Sequence, residues 1–338
     1  MKAGEYREAP HPAAPVGGTA TESAAEGPEA AEAEWRSGIV AAAEHGTRID
    51  KALVALAPEF SRSHLQRLLD AGHVRIDGAV ARAASQRVKS GQRLEVELIP
   101  TDESRAFRPQ PMALAVLHED EHLLVLDKPA GLVVHPAPGH WQGTLLNGLL
   151  AHHAGALALP RAGIVHRLDK DTSGVMMVGK TLPAVTALVR AIAAREVSRR
   201  YLAIAAGRPP APAFSVDAPI GRDPASRLRM AVVPSGKPAR TDFEVLALRE
   251  GDAGGPFVGL RCTLHTGRTH QIRVHAASRG LPLVADAVYG GRPALGLERQ
   301  ALHAAHLALA HPVTGEALAF ACEPPADFAK AWAALPLQ

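Results

Sequence analysis

The chain has 338 residues, 47% hydrophobic and 21% charged, which suits about two ordinary globular domains. No apolar run approaches the roughly 18–20 residues that span a bilayer, and the first 46 residues show no signal-peptide core, so neither a membrane nor a secreted protein is expected. Two cysteines, Cys262 and Cys322, make no disulfide framework or metal-ligand set, and a reduced, cytoplasmic protein is the plain expectation.

The formal net charge of +3 hides an asymmetry. Residues 1–46 carry eight glutamates against Lys2, Arg7 and Arg36, a net −5, so the remaining residues net +8. A basic body suits a nucleic-acid partner without requiring one. Rich in Ala, Glu, Pro and Gly and without apolar period, residues 1–46 are expected to be a disordered tail. Residues 47–98 read as a compact unit. Ile49, Leu53, Val54 and Leu56 suggest a short helix. Ser61 is a cap for a second helix that puts Leu65, Leu68 and Leu69 on one face and ends at Gly72. "HVRIDGAVA" alternates around Asp77-Gly78 as a hairpin does, and "QRLEVELI" is a further alternating strand.

Residues 99–112 read as a polar, proline-bearing linker. Residues 113–338 mix strands and helices. "LAVLHEDEHLLVLDKPAG" suggests two strands about an acidic turn. "AGIVHRL" and "SGVMMVGKT" suggest short strands flanking a polar loop. "LPAVTALVRAIAARE" is expected to be a helix with Val185, Leu188, Val189 and Ile192 on its apolar face. "RRYLAIAAG", "RTDFEVLAL" and "FVGLRCTLHTG" suggest strands, and "THQIRVHAASRG" a helix ending at Gly280. Strands dominate and helices are inserted irregularly, which predicts an α+β domain rather than alternating βαβ units.

Gly174-Val175-Met176-Met177-Val178-Gly179-Lys180-Thr181 fits the phosphate-loop pattern letter for letter. The physics opposes that reading. A phosphate loop exposes its backbone between strand and helix, whereas Val-Met-Met-Val asks for burial in a strand.

Three segments concentrate polar chemistry. His166-Arg167-Leu168-Asp169-Lys170-Asp171-Thr172-Ser173-Gly174 packs two carboxylates and two cations between apolar strands. On composition alone, a charged surface turn fits it equally well. His265-Thr266-Gly267-Arg268-Thr269-His270-Gln271-Ile272-Arg273-Val274-His275 sits where a strand becomes a helix, and its N–H groups and arginines suit an anion. Its histidines lack acidic or Cys partners at metal spacing, so no metal is expected. The same holds for His303, His306 and His311. Lys128-Pro129-Ala130-Gly131 is a rigid turn.

Together these segments resemble a known family. "GIVHRLDKDTSGVMMVGKT" is similar to the catalytic motif of the RluA/RluD family of pseudouridine synthases. "KPAGLVVHPAPG", "RRYLAI", "GKPARTDFEV", "LHTGRTHQIRVH" and "DAVYGG" resemble its other motifs, in the family's order, from about Leu114 to Pro324. Residues 47–98 resemble the S4 RNA-binding domain that precedes the catalytic domain in the RluD type. The departures are a short stretch between Tyr289 and His303, Gly179 in place of a frequent Ala, and Arg200 where Glu is common.

The resemblance implies a small S4 domain followed by a synthase domain with a mixed or antiparallel sheet. It implies conversion of uridine to pseudouridine in 23S (large-subunit) ribosomal RNA, in a stem-loop with several targets. Free ribosomal RNA and a precursor subunit both remain open as substrate, and a monomer is the default. The reaction moves no electrons or phosphates, so no cofactor is expected. The family assigns the catalytic carboxylate to Asp169, ionised at working pH, and its partner cation to Arg273. Tyr201 would stack on the uracil and relay a proton; a merely packed tyrosine is the alternative. Arg167 would fill the space left by the flipped base. Arg268, and on the S4 helix Arg62 and Arg67, would hold RNA phosphates. Arg222, Arg227, Arg229, Lys237 and Arg240 extend that basic track or are scattered solvated charges. A non-catalytic ribosome-assembly factor on the same fold is the rival reading.

Overall fold

The computed structural model describes residues 34–99, 106–137, 139–226, 229–250 and 255–336. Arg227 and residues 1–33 of the expected tail lie outside them. The chain divides into two compact units, Met1–Thr101 and Asp102–Gln338.

In the first unit the expected tail gives way to structure earlier than its composition suggests. Glu34–Ile39 forms β1. The unit continues with helix α1 (Ile49–Leu56), helix α2 (Arg62–Asp70), β2 (Val74–Ile76), β3 (Ala79–Val80) and β4 (Arg93–Leu98). β1 pairs antiparallel with β4, and the sheet order is β1-β4-β2-β3. The Ser61 hydroxyl accepts the His64 N–H at 3.3 Å, so the expected cap is present. Asp77 and Gly78 both take positive φ, 50° and 79°, and join β2 to β3. That pair of left-handed residues is what a two-residue hairpin turn demands. Ile49, Leu53, Leu65, Leu69, Val74 and Val96 form the core.

The second unit is built on a nine-stranded sheet. Its strands are β5 (Ala115–Glu119), β6 (Leu123–Lys128), β7 (Ser173–Gly179), β8 (Ser198–Ala206), β9 (Ala213–Asp217), β12 (Arg240–Arg249), β13 (Phe257–Leu264), β14 (Leu302–Ala310) and β15 (Ala317–Ala321). The order is β5-β6-β7-β14-β8-β13-β12-β9, with β15 on β14. Every pairing is antiparallel except β7 with β14. A small ribbon joins β10 (Ile220–Arg222) to β11 (Met230–Val232). The helices are α3 (Leu145–His152), α4 (Leu182–Ala194), α5 (Gln271–Ser278) and α6 (Ala326–Ala333). This is the expected α+β architecture with a mixed, mainly antiparallel sheet.

β6 and β7 read as unbroken apolar runs because both their faces are covered. Leu124, Leu126, Met176 and Val178 pack with Leu145 and Leu149 of α3. The alternate residues Leu123, Val125, Val175 and Met177 pack with Leu188 of α4.

Three expectations need correction. "GIVHRL" is not a strand: only Ile164 bridges to Val178, and the segment otherwise runs as a loop. Val189 does not share the buried face of α4: it is 49% exposed and borders the cavity described below, which Ile192 also borders while still packing against the core around Leu188. The second half of the expected linker is fastened to α3, since Asn147 Nδ2 donates to the carbonyls of Ala106 and Arg108 at 3.0 and 2.9 Å.

The phosphate-loop resemblance fails on geometry. All seven residues of β7 are buried. A Cβ on Gly174 would meet the Ala304 carbonyl at 2.2 Å, so this glycine permits close parallel contact with β14. One on Gly179 would press Val185 at 2.8 Å, so that glycine seats α4. Lys180 is bound to Glu119 at 2.8 Å.

Candidate active site

The loop carrying Asp169 is held from several sides. Half-buried His166 accepts the Met177 N–H on Nε2 at 3.0 Å, which fixes its neutral tautomer and ties the loop to β7. Burial, helped by the Arg199 charge, pushes His166 down to about 3. The Lys128 ammonium is fully buried and donates to the carbonyls of Pro129, Leu132 and Lys170 at 2.7, 3.0 and 3.0 Å. Burial brings it down to about 8, against the pull of Asp171 and Asp169. The rigid turn after β6 is thereby locked to the loop. Arg299 Nη1 donates to the Asp171 carbonyl at 2.9 Å.

Asp169 meets Arg273, the third residue of α5. Arg273 Nη1 donates to Asp169 Oδ2 at 3.0 Å. Its other edge is taken by Asp286, through Nε to Oδ2 at 2.7 Å and Nη2 to Oδ1 at 2.8 Å. Asp286 is 1% exposed. Burial disfavours the charged guanidinium, but the two carboxylates outweigh it and raise the Arg273 pKa. The Tyr289 ring lies under the guanidinium, 5.0 Å from Cζ. The Tyr289 hydroxyl accepts from Met230 N at 3.0 Å and pairs with His270 Nδ1 at 2.8 Å. His270 Nε2 stands 3.8 Å from Asp169 Oδ1. Burial lowers the His270 pKa, opposed by Asp169.

Asp169 therefore has one oxygen fixed by a buried cation, while Oδ1 has no hydrogen bond among the described residues. The side chain keeps 16% exposure and borders a cavity of about 590 Å³. Tyr201, on β8, lines the same cavity; burial pushes its hydroxyl up to about 12, so it stays protonated. Arg167 and Arg268 also line it. Arg167 is exposed and has no ion pair among the described residues, whereas Arg268 Nε donates to the Pro238 carbonyl at 3.1 Å. In all, six arginines and a single carboxylate, Asp169, line the wall. Such a field attracts a polyanion.

The expected residues thus divide. Asp169, Tyr201, Arg273, Arg167 and Arg268 converge on one cavity of the second unit. Arg62 and Arg67 lie on α2 of the first, where Arg62 also donates to Asp50 at 2.8 Å. His275 and His303 are packing groups: His275 pairs with Thr241 at 2.9 Å and His303 with Ser173 at 3.0 Å. Among the described residues, no cluster of three metal-ligating side chains occurs, and no helix is long and apolar enough to cross a membrane. Sequence reading missed the parts played by Asp286, Tyr289, His270 and Lys128. The "DAVYGG", "KPAG" and "LHTGRTHQIRVH" motifs contained them, but only folding shows what they touch.

Comparison with known proteins identifies the family. Residues 122–278 match the model of the RNA pseudouridylate synthase family, and residues 47–94 match the S4 domain. The ribosomal large subunit pseudouridine synthase D of Nitrosomonas europaea is 46% identical over 292 residues, covering 84% of this chain and 83% of that one. The synthase D of Xanthomonas campestris is 43% identical over 320 residues, covering 91% and 94%. The structure of human RNA pseudouridylate synthase domain containing 1 aligns with a TM-score of 0.52 at 25% identity, over 71% of this chain and 91% of that one. The chain belongs to the RNA pseudouridylate synthase family, in the D-type branch that carries an S4 domain ahead of the synthase domain, and it is an RNA-modifying isomerase.

Proposed function

We propose that this isomerase converts uridines to pseudouridine in large-subunit (23S) ribosomal RNA, within a stem-loop carrying several targets, using Asp169 as its catalytic carboxylate. The substrate class follows the names of the synthase D relatives. It works in the cytoplasm, where that RNA is made into subunits, and as a monomer. The observation that carries the chemical part is the Asp286–Arg273–Asp169 relay at the edge of an arginine-lined cavity.

The reaction breaks the glycosidic C–N bond, turns the uracil and forms a C–C bond. Arg273, fixed by Asp286, holds Asp169 by one oxygen and leaves its unbound Oδ1 to face the sugar and base. Tyr201, neutral at working pH, offers a ring face to the uracil and a hydroxyl to a moving proton. The target must leave its stack, which costs a few kcal/mol. Arg167, exposed and without an ion pair among the described residues, is free to occupy the vacated place as a planar cation. Arg268 meets the backbone at the cavity rim. In the S4 unit, Arg62 and Arg67 add phosphate contacts that raise affinity without reading bases.

Tritium release from RNA transcribed with 5-tritiated uridine tests the reading. Wild type should release tritium and Asp169→Ala should not. Wild-type release by Asp169→Ala would sink the catalytic assignment. No release from free large-subunit RNA or isolated subunits would favour an assembly factor instead.

A further inference from the structure

One buried side chain on the cavity wall lacks a counter-charge among the described residues. β8 alternates, so Arg199 and Tyr201 point to the same face of the sheet while Arg200 points away and is exposed. Arg199 is 5% exposed and lines the cavity. Its Nε is buried with no hydrogen-bond partner, and the guanidinium has no ion pair among the described residues. It lies beside Gly267, where an added Cβ would stand 3.0 Å from Nη1.

The other buried arginine of this wall is treated differently. Arg273 has two aspartates. Asp169, the wall's one carboxylate, is already bound by Arg273. The neighbours of Arg199 offer it no counter-charge: His166 accepts a backbone N–H, and burial keeps the proton on Tyr201. An arginine cannot shed its own proton. A water molecule would satisfy Nε but would not balance the charge. Uracil is neutral and would not balance it either. The remaining anion in an RNA substrate is the phosphodiester, whose geometry fits a guanidinium fork.

We propose that Arg199 grips a phosphate flanking the target uridine and so sets the register of the RNA strand in the cavity. This rests on the reading of the cavity as the uridine site. Gly267 keeps the opposing loop close enough to border the phosphate without a side chain filling its place. Arg199 acts on binding and positioning, while Asp169 acts on the bond that breaks.

The test uses the full chain and a stem-loop RNA in which each phosphate around the target is replaced in turn by an uncharged methylphosphonate. Wild type should lose roughly tenfold in affinity at one position, the size of a charged hydrogen bond. Arg199→Gln should lose a similar factor on unmodified RNA and reduce the slope of log K against log salt by about 1. Its single-turnover rate at saturating enzyme should fall less than its affinity. The sensitive methylphosphonate should cost Arg199→Gln nothing further, and Arg199→Lys should recover part of the loss. Equal penalties in wild type and Arg199→Gln at every phosphate would overturn the proposal. So would a wild type indifferent to every neutral phosphate, an outcome that needs no variant to fold. Tritium release by wild type on the unmodified RNA separates the two readings: release with additive penalties removes Arg199's role and leaves the uridine site standing.

Discussion

Asp50 and Asp169 are both aspartates ringed by arginine, one in each unit of the chain, and they are finished differently. Asp50, in α1, is fully buried and accepts four hydrogen bonds: two from Arg48 at 3.1 Å, and one each from Arg62 and Gln66 at 2.8 Å. Those bonds hold it well below the usual carboxylate range, the Arg48 pair being the largest cause. Asp169 accepts one, from Arg273, and keeps its other oxygen open to a cavity. A carboxylate saturated with donors is a clamp that joins α1 to α2. One fixed on a single oxygen is oriented and still able to react. Charge density alone does not separate the two; the count of occupied lone pairs does.

Substitution should separate them cleanly. Asp169→Asn keeps the shape and removes the charge, and tritium release should fall about 10⁴-fold or more, the scale seen when a nucleophile is removed. Its melting temperature should stay near wild type, because Arg273 retains Asp286. A variant that unfolds instead would make Asp169 a clamp like Asp50. Next in size is Asp286→Asn. It loosens Arg273 without touching the cavity opening, and a small misplacement of a reacting group costs on the order of 10² in rate. RNA affinity should be unchanged, so an equal loss in affinity would argue against a positioning role.

Asp50→Asn should do the reverse. It weakens a hydrogen-bond cluster worth about 1–3 kcal/mol to the first unit, and single-turnover rates at saturating enzyme should hold. The pH dependence carries a sign. Because the folded pKa is depressed, this stabilisation is present above the unfolded value near 3.9 and is lost as pH falls below it. Thermal melts of wild type should therefore weaken below about pH 4 more steeply than those of Asp50→Asn. Parallel pH curves would remove Asp50 from the account.

The same comparison shows what the sequence disclosed. The Asp77-Gly78 turn, the Ser61 cap, the double-faced β7 and the Asp169 loop are local: each is written in neighbours a few residues apart. Asp286 is not. It is a single acid in a glycine-bearing turn, and its role depends on an arginine thirteen positions earlier that the fold delivers to it. Arg199 was legible only as one of two arginines before Tyr201, since strand alternation tells which faces inward once β8 has a defined face. Val189 matched the helical period and was placed on the apolar face, yet it is exposed and borders a cavity, because periodicity gives a stripe and not what the stripe meets.

β1 is where local reading failed most plainly, and it yields the smallest expected effect. Its residues follow an Ala/Glu/Pro-rich stretch, and its large apolar residues sit on the exposed face: Trp35 and Ile39 are 51% and 66% exposed, while Arg36 and Gly38 on the other face are half-buried. No inward-facing apolar alternation marks such a strand. What holds it is distant, six paired positions on β4, the Arg36 ion pair with Glu59 and the Arg75 guanidinium over Trp35 at 5.3 Å. A chain starting at Glu34 should match the full chain in melting temperature and tritium release. One starting at Thr47 bares the β4 edge and should lose about 1 kcal/mol in the first unit, within the range of a few cross-strand pairs. Turnover at saturating RNA should be kept, because Asp169 and its cavity belong wholly to the second unit. If both truncations melt alike, β1 contributes nothing and the compact unit begins at α1, as composition suggests.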